Sequence, residues 1–222
     1  MKTTSLLALA AAATTLALVP MPTAAKDSAW GVYPTAGLTF GDFYGEDVTI
    51  DTQYNVRLAY GGGFIVQDWA GLGFVIELLF QDRGVSYNVG PENGPSGKGL
   101  LSWDLSYFSI PILGRYAFPV GKVAQVFLQG GISWDMLRSA KVTLDFEDKA
   151  LPNESTDYTE VTPDMDFGLI LGAGIEYRAW CFDIRQTWGT GTIDNDDFDQ
   201  GDKDIKTSTL SLLLAYRFGP GF

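Results

Sequence analysis

The 222-residue chain has no histidine, one cysteine and few basic side chains: 15 lysines and arginines stand against 27 aspartates and glutamates, a formal charge of −12. Each shortage excludes something. Without histidine, the usual general base, the usual activator of a nucleophile and the commonest metal ligand are missing. A lone Cys181 can form neither an intramolecular disulfide nor a multi-thiolate metal site. The acidic balance leaves nothing to neutralise a run of phosphates, so no nucleic acid is expected as a partner. Long apolar runs are scarce too, with a single one near the N-terminus. What remains is ample apolar material, 46% of residues, with 14% aromatic and 26 glycines, which argues against disorder.

The N-terminal run reads as an address. Lys2 gives a positive start, residues 5–19 carry no charge, Pro20-Met21-Pro22 ends the run, and Thr23-Ala24-Ala25 offers small residues before Lys26. This is the pattern of a secretory signal peptide over residues 1–25, leaving one domain over residues 26–222. Loss of Lys2 leaves 14 basic against 27 acidic residues, −13.

From Trp30 onward, eight segments alternate with period two, the signature of strands whose two faces meet different surroundings. The last is clearest: Leu210, Leu212, Leu214, Tyr216 and Phe218 on one face, Ser211, Leu213, Ala215 and Arg217 on the other. The third sets Leu72, Phe74, Ile76, Leu78 and Phe80 against Gly73, Val75, Glu77, Leu79 and Gln81. The first, residues 30–40, is weakest because Pro34 interrupts it, a placement that suits an edge or strand end.

The connections alternate in length. Residues 67–70, 119–123 and 178–179 are short turns; residues 41–53, 88–100, 140–162 and 191–205 are long. The long ones carry −4, 0, −4 and −5, the whole mature net charge of −13. One plain rim and one elaborate acidic rim are expected of an up-and-down transmembrane barrel with short periplasmic turns and long extracellular loops.

Period two does not say which face looks inward. A soluble lipocalin-like ligand carrier puts the apolar face inside; an outer-membrane barrel puts it in lipid. Three features favour lipid. The apolar face is bulky for about five positions per strand, near the length that spans hydrocarbon with tilt. Aromatics such as Tyr60, Phe80, Tyr116, Phe118, Trp134, Tyr177, Trp180, Trp188, Tyr216 and Phe218 recur towards strand ends, as in interfacial girdles. The other face is small, glycine-rich and sparsely charged, unlike a wall facing water. The expectation is an all-β, eight-stranded antiparallel up-and-down transmembrane β-barrel in the bacterial outer membrane, with lipid as its partner.

Eight strands leave an interior just filled by side chains. The charged residues expected there are Arg57, Glu77, Arg115, Glu176, Asp183, Arg185 and Arg217, read as an ion-pair network that plugs the lumen, because charge leaving water must be paired. No catalytic residue, cofactor site or specific metal site is expected. Asp164 and Asp166 share a strand face and Asp196 and Asp197 are adjacent, but acids in solvated loops do little acid–base work. The segment 194–202 departs from EF-hand spacing: Gly201 falls one place late and no glutamate closes the loop. It fits loose divalent-cation association. Residues 142–146 and 158–161 are expected to extend the fifth and sixth strands as a ribbon, so that the 140–162 hairpin offers an edge to another envelope protein.

The stretches Glu77-Leu78-Leu79-Phe80-Gln81-Asp82-Arg83-Gly84, Tyr107-Phe108-Ser109-Ile110-Pro111-Ile112-Leu113, Phe167-Gly168-Leu169 with Gly172-Ala173-Gly174-Ile175-Glu176-Tyr177, and Leu214-Ala215-Tyr216-Arg217-Phe218 together resemble the PorT-type outer-membrane β-barrel family common in Bacteroidota. The resemblance spans most of the mature chain. It implies an eight-stranded outer-membrane barrel behind a signal peptide. The role expected is that of a non-enzymatic structural or surface-recognition protein acting through acidic loops; the alternatives are an accessory subunit of an envelope secretion machine and an outer-membrane enzyme or lipid-binding barrel. The chain departs from outer-membrane custom at its end, where Gly219-Pro220-Gly221-Phe222 follows Phe218.

Overall fold

The structure is a computed structural model that describes residues 29–44, 52–68, 70–89, 99–146, 154–157, 159, 164–191 and 206–219. The expected signal peptide and much of the four long connections, the 194–202 segment included, lie outside the described residues. The strands are β1 (Ala29–Tyr44), β2 (Thr52–Gln67), β3 (Leu72–Val89), β4 (Gly99–Val120), β5 (Ala124–Phe146), β6 (Glu154–Asp157), β7 (Met165–Tyr177), β8 (Trp180–Gly189) and β9 (Lys206–Tyr216).

Eight of them close a ring. The order β4-β3-β2-β1-β9-β8-β7-β5 is antiparallel throughout, and β4 pairs with β5 to complete the circle. Closure satisfies the backbone of every wall strand without exposing an edge, which hydrocarbon requires. The alternation settles which side is out. Leu210, Leu214, Tyr216 and Phe218 are exposed, while Ser211, Leu213 and Ala215 are buried. Val56, Leu58, Tyr60, Phe64 and Val66 are exposed on β2, as are Leu72, Phe74, Ile76 and Leu78 on β3. A soluble carrier needs the reverse arrangement.

Three details depart from the sequence reading. First, β3 continues past Gln81 to Val89, whereas β5 runs on to Phe146 as expected. Second, Glu154–Asp157 pairs with Lys141 to Leu144 of the β5 extension, while of the expected 158–161 only Thr159 lies among the described residues. Thr159 is a turn residue whose hydroxyl accepts the Ala140 N–H at 2.9 Å, closing the backbone between ribbon and wall. Third, Pro34 lies inside a closed wall rather than at an edge. It pairs with Gly62 on β2, while the β1–β9 ladder starts one residue later at Thr35, so its missing N–H is not demanded.

The inner face carries two apolar clusters, Ile65, Val75, Leu113 and Ile170 with Tyr33 against them, and Leu105, Tyr107 and Ala140 with Phe43 and Leu137. Between Tyr54 and Ala59 the β2–β3 register slips. There β1 touches β3 directly: the Thr39 hydroxyl donates to the Asp82 carbonyl at 2.5 Å, and a Cβ on Gly41 would meet the backbone of Gly84. The lumen narrows at this level, towards the end with the long connections.

Candidate functional site: the charged lumen

The inward face holds ionised side chains at successive levels between the short turns and the long connections. Nearest the short turns, Glu176 on β7 receives Arg115 Nη2 from β4 at 2.8 Å on Oε2 and Arg217 Nη1 at 2.9 Å on Oε1. Gln125 Nε2 adds a third donor at 2.8 Å. The Arg115 guanidinium lies over Phe127, 3.5 Å from the ring centre, a cation–π contact between buried groups.

One level on, Arg185 of β8 bridges two carboxylates. Its Nη1 is 2.5 Å from Glu77 Oε2 on β3, its Nη2 is 3.2 Å from Glu77 Oε1, and its Nε is 3.0 Å from Asp183 Oδ2. The Tyr33 hydroxyl donates to Glu77 at 2.7 Å and Gln129 to Asp183 at 2.8 Å. Arg185, Glu77 and Asp183 are all buried.

Further towards the long connections, Arg83 pairs with Asp135 and covers Tyr107 at 4.6 Å. Asp166 lies directly opposite Asp135 in the β5–β7 register, and its Oδ1 accepts the Gly191 N–H at 2.8 Å. Nearer still to the long connections, Arg57 pairs with Asp104, both about one-third exposed or more, across Gly84.

Of the seven charged residues expected inside, Glu77, Arg115, Glu176, Asp183, Arg185 and Arg217 thus meet in two clusters, while Arg57 stands apart with Asp104. Sequence reasoning missed Arg83, Asp135 and Tyr33 as members of the lumen, and Asp104, on the same face of β4 as Ser106, as the partner of Arg57. The available signal was parity: carrying the third strand's odd-numbered face two residues beyond Gln81 reaches Arg83, and Asp135 already sits on the inward face of the fifth. Cys181 lines the cavity beside Glu176.

Little space is left between these groups. The cavity lined by Tyr33, Glu77, Arg115, Glu176, Asp183 and Arg185 holds about 20 Å³, and that beside Gln81, Ser133 and Arg185 about 10 Å³. Volumes of that size take one or two water molecules. Among the described residues no group of three His, Cys, Asp or Glu is placed to hold a metal ion.

Solved structures similar in fold include Ail, the attachment invasion locus protein of Yersinia pestis, crystallised with the heparin analogue sucrose octasulfate (13% identity over 87% of this chain and 100% of that one, TM-score 0.41). Neisserial surface protein A matches at 12% identity over 87% and 100%, TM-score 0.44. OprG of Pseudomonas aeruginosa matches at 12% over 88% and 98%, TM-score 0.41. No curated protein matches by sequence. The family model of the outer membrane protein beta-barrel domain matches residues 21–195, most of the chain. With its greasy wall outside and its ionised residues within, the chain belongs to the outer membrane protein beta-barrel domain family and resides in the bacterial outer membrane.

Proposed function

We propose that this chain is a small non-enzymatic barrel of PorT type, plugged by the ion pairs of its lumen, whose work is structural or recognitional and is done by its acidic connections. Residues 1–25 are its cleaved signal peptide and residues 26–222 the single barrel domain. The observation that carries this reading is the packing of Arg115, Arg217 and Glu176 beneath Arg185, Glu77 and Asp183, with about 20 Å³ between them. A hydrated ion or solute needs a continuous path, and side chains paired across the bore occupy it. The same pairing argues against chemistry: each of these carboxylates is engaged by an arginine, and no histidine is available as a base. The acidic connections hold divalent cations only loosely, as a diffuse charge rather than a ligand set.

The test is planar-bilayer recording of the full mature chain, with gel mobility before and after boiling as the check of folding. A folded, heat-modifiable barrel should give no steady single-channel steps. Stable steps from the wild-type protein would overturn the plugged reading.

A second reading, an accessory subunit of an envelope secretion machine, is favoured by the ribbon. Among the described residues β6 pairs only with β5, so Glu154–Asp157 offers its other edge to a partner strand. Co-purification with a large envelope complex, lost when Ser155→Pro blocks that edge, supports it; a lone monomer in gentle detergent argues against it.

A further inference from the structure

The outer wall is apolar through its middle, and one cation breaks that pattern at the end near the long connections. Between Ser106 and Tyr107 of β4 the register with β5 slips: Tyr107 faces Leu137 and Ser106 faces Ser139, so Arg138 is the extra residue of a β-bulge. Bulges of this kind re-aim side chains. Here the inward positions, odd-numbered through Asp135, become even-numbered at Ala140, and Arg138 is left exposed on the outer wall.

Its surroundings fix its level. The guanidinium sits 5.3 Å from the ring centre of Phe80. Phe80 in turn packs on Tyr60 at 5.5 Å and Phe108 at 5.2 Å, an aromatic row across β2, β3 and β4. Beyond that row the wall turns polar, with Asp82 accepting the Ser106 hydroxyl at 2.6 Å and Ser139 next in register. Aromatic rows mark where hydrocarbon gives way to headgroups. Arg138 is therefore a headgroup-level cation. Among the described residues it has no ion-pair partner, whereas the neighbouring Lys141 stands in register between Asp104 and Asp157.

We propose that Arg138, with Ser139, Ser106 and Asp82 beside it, is a binding site for the phosphorylated sugar headgroup of the glycolipid in the leaflet at the long-connection end. Charge complementarity selects the occupant. A guanidinium presents paired donors to a phosphate, and the serine hydroxyls and the Asp82 carboxylate suit the hydroxyls of a sugar rather than a second anion. The Phe80 ring beneath holds the guanidinium in place and leaves its outer edge to the lipid. The proposal rests on the long connections facing the cell exterior; a Ser155→Cys variant labelled on intact cells by an impermeant thiol reagent tests that reading on its own.

Native mass spectrometry of the full mature chain in mild detergent tests the site whichever way the barrel faces. The probes are diphosphorylated lipid A, its dephosphorylated form and phosphatidylglycerol. Wild type should retain one diphosphorylated lipid A through detergent removal. Arg138→Ala and Arg138→Gln should each lower that retention about tenfold, while Lys122→Ala, at a short turn, leaves it unchanged; gel mobility confirms that each variant is folded. Equal retention by wild type and Arg138→Ala overturns the site. Equal retention of phosphatidylglycerol or of the dephosphorylated lipid by wild type overturns the headgroup assignment.

Discussion

Arg185 on β8 closes on Glu77 on β3 across the full width of the barrel, between strands four places apart in a ring of eight. The same guanidinium also holds Asp183, so one cation compensates two buried anions. The two partners are therefore unequal. Arg185→Ala strands two carboxylates, whereas Glu77→Ala leaves Arg185 still paired with Asp183. Removing one partner of a buried pair costs about 3–5 kcal/mol. Arg185→Ala should fall at or above the top of that range and Glu77→Ala at or below its bottom, read as the shift in denaturant midpoint of the mobility change in lipid. The opposite order would refute the bridging role.

Gly174 on β7 gives a second prediction. A Cβ there would collide with the Phe127 ring and with the Phe182 carbonyl. Phe127 is the plate on which Arg115 lies before reaching Glu176. Gly174→Ala should push the ring aside and also shift the Phe182 backbone, so its cost should lie at or above the top of the ~1–3 kcal/mol range for overpacking a filled interior. Gly121→Ala adds no collision, since nothing lies within 4 Å of its Cβ position, but it sits at a turn with φ of 76° and pays a backbone cost instead. Thermal unfolding of both variants in lipid, with a crystal structure of Gly174→Ala showing Phe127 displaced, separates packing from backbone strain.

The wall was legible in the sequence because its two faces meet different media, and alternation such as Leu210-Ser211-Leu212 is the direct mark of that. β6 was not. Glu154-Ser155-Thr156-Asp157 carries no alternation, and its strand form comes from pairing with Lys141 to Leu144. Arg83 was missed because the outward positions beyond Phe80, Asp82 and Gly84, cease to be greasy, so the alternation fades while the strand continues to Val89. Arg57, expected inside by parity, stands apart from the two lumen clusters, because the slip between Tyr54 and Ala59 brings it to Asp104. Which acid meets which arginine depends on strand tilt across the lumen, and residues 108 apart in sequence, as Glu77 and Arg185 are, carry no local trace of it.

The exposed tryptophans predict a lipid signature. Trp30, Trp134 and Trp180 are exposed on the outer wall, Trp180 edge-on to Tyr216 at 5.0 Å. Trp103 instead packs against Phe43 at 6.4 Å. In bilayers of brominated lipid most tryptophan emission should be quenched. Replacing Trp30, Trp134, Trp180 and the outward-facing Trp188 by Phe should remove most of the quenchable part and leave Trp103 emitting. Emission insensitive to bromine would place these rings away from acyl chains.

The ribbon predicts a pH response. The Thr159 hydroxyl and N–H both donate to Asp157, at 2.5 and 2.9 Å, and hold its carboxyl below the ordinary aspartate range. A lowered value means that the ionised form favours the folded ribbon. That contribution is complete above the unfolded value of about 4 and is lost as pH falls through Asp157's lowered one. The same Thr159 hydroxyl accepts the Ala140 N–H, so releasing Asp157 also loosens the seam beside β5. Carboxyl NMR titration should find Asp157 below the ordinary range in wild type and moved up towards it in Thr159→Val, which removes the hydroxyl and keeps the N–H donor. Amide exchange at Ala140 should quicken in that variant at neutral pH and, in wild type, only as acid protonates Asp157. An unshifted Asp157 in wild type would remove the coupling.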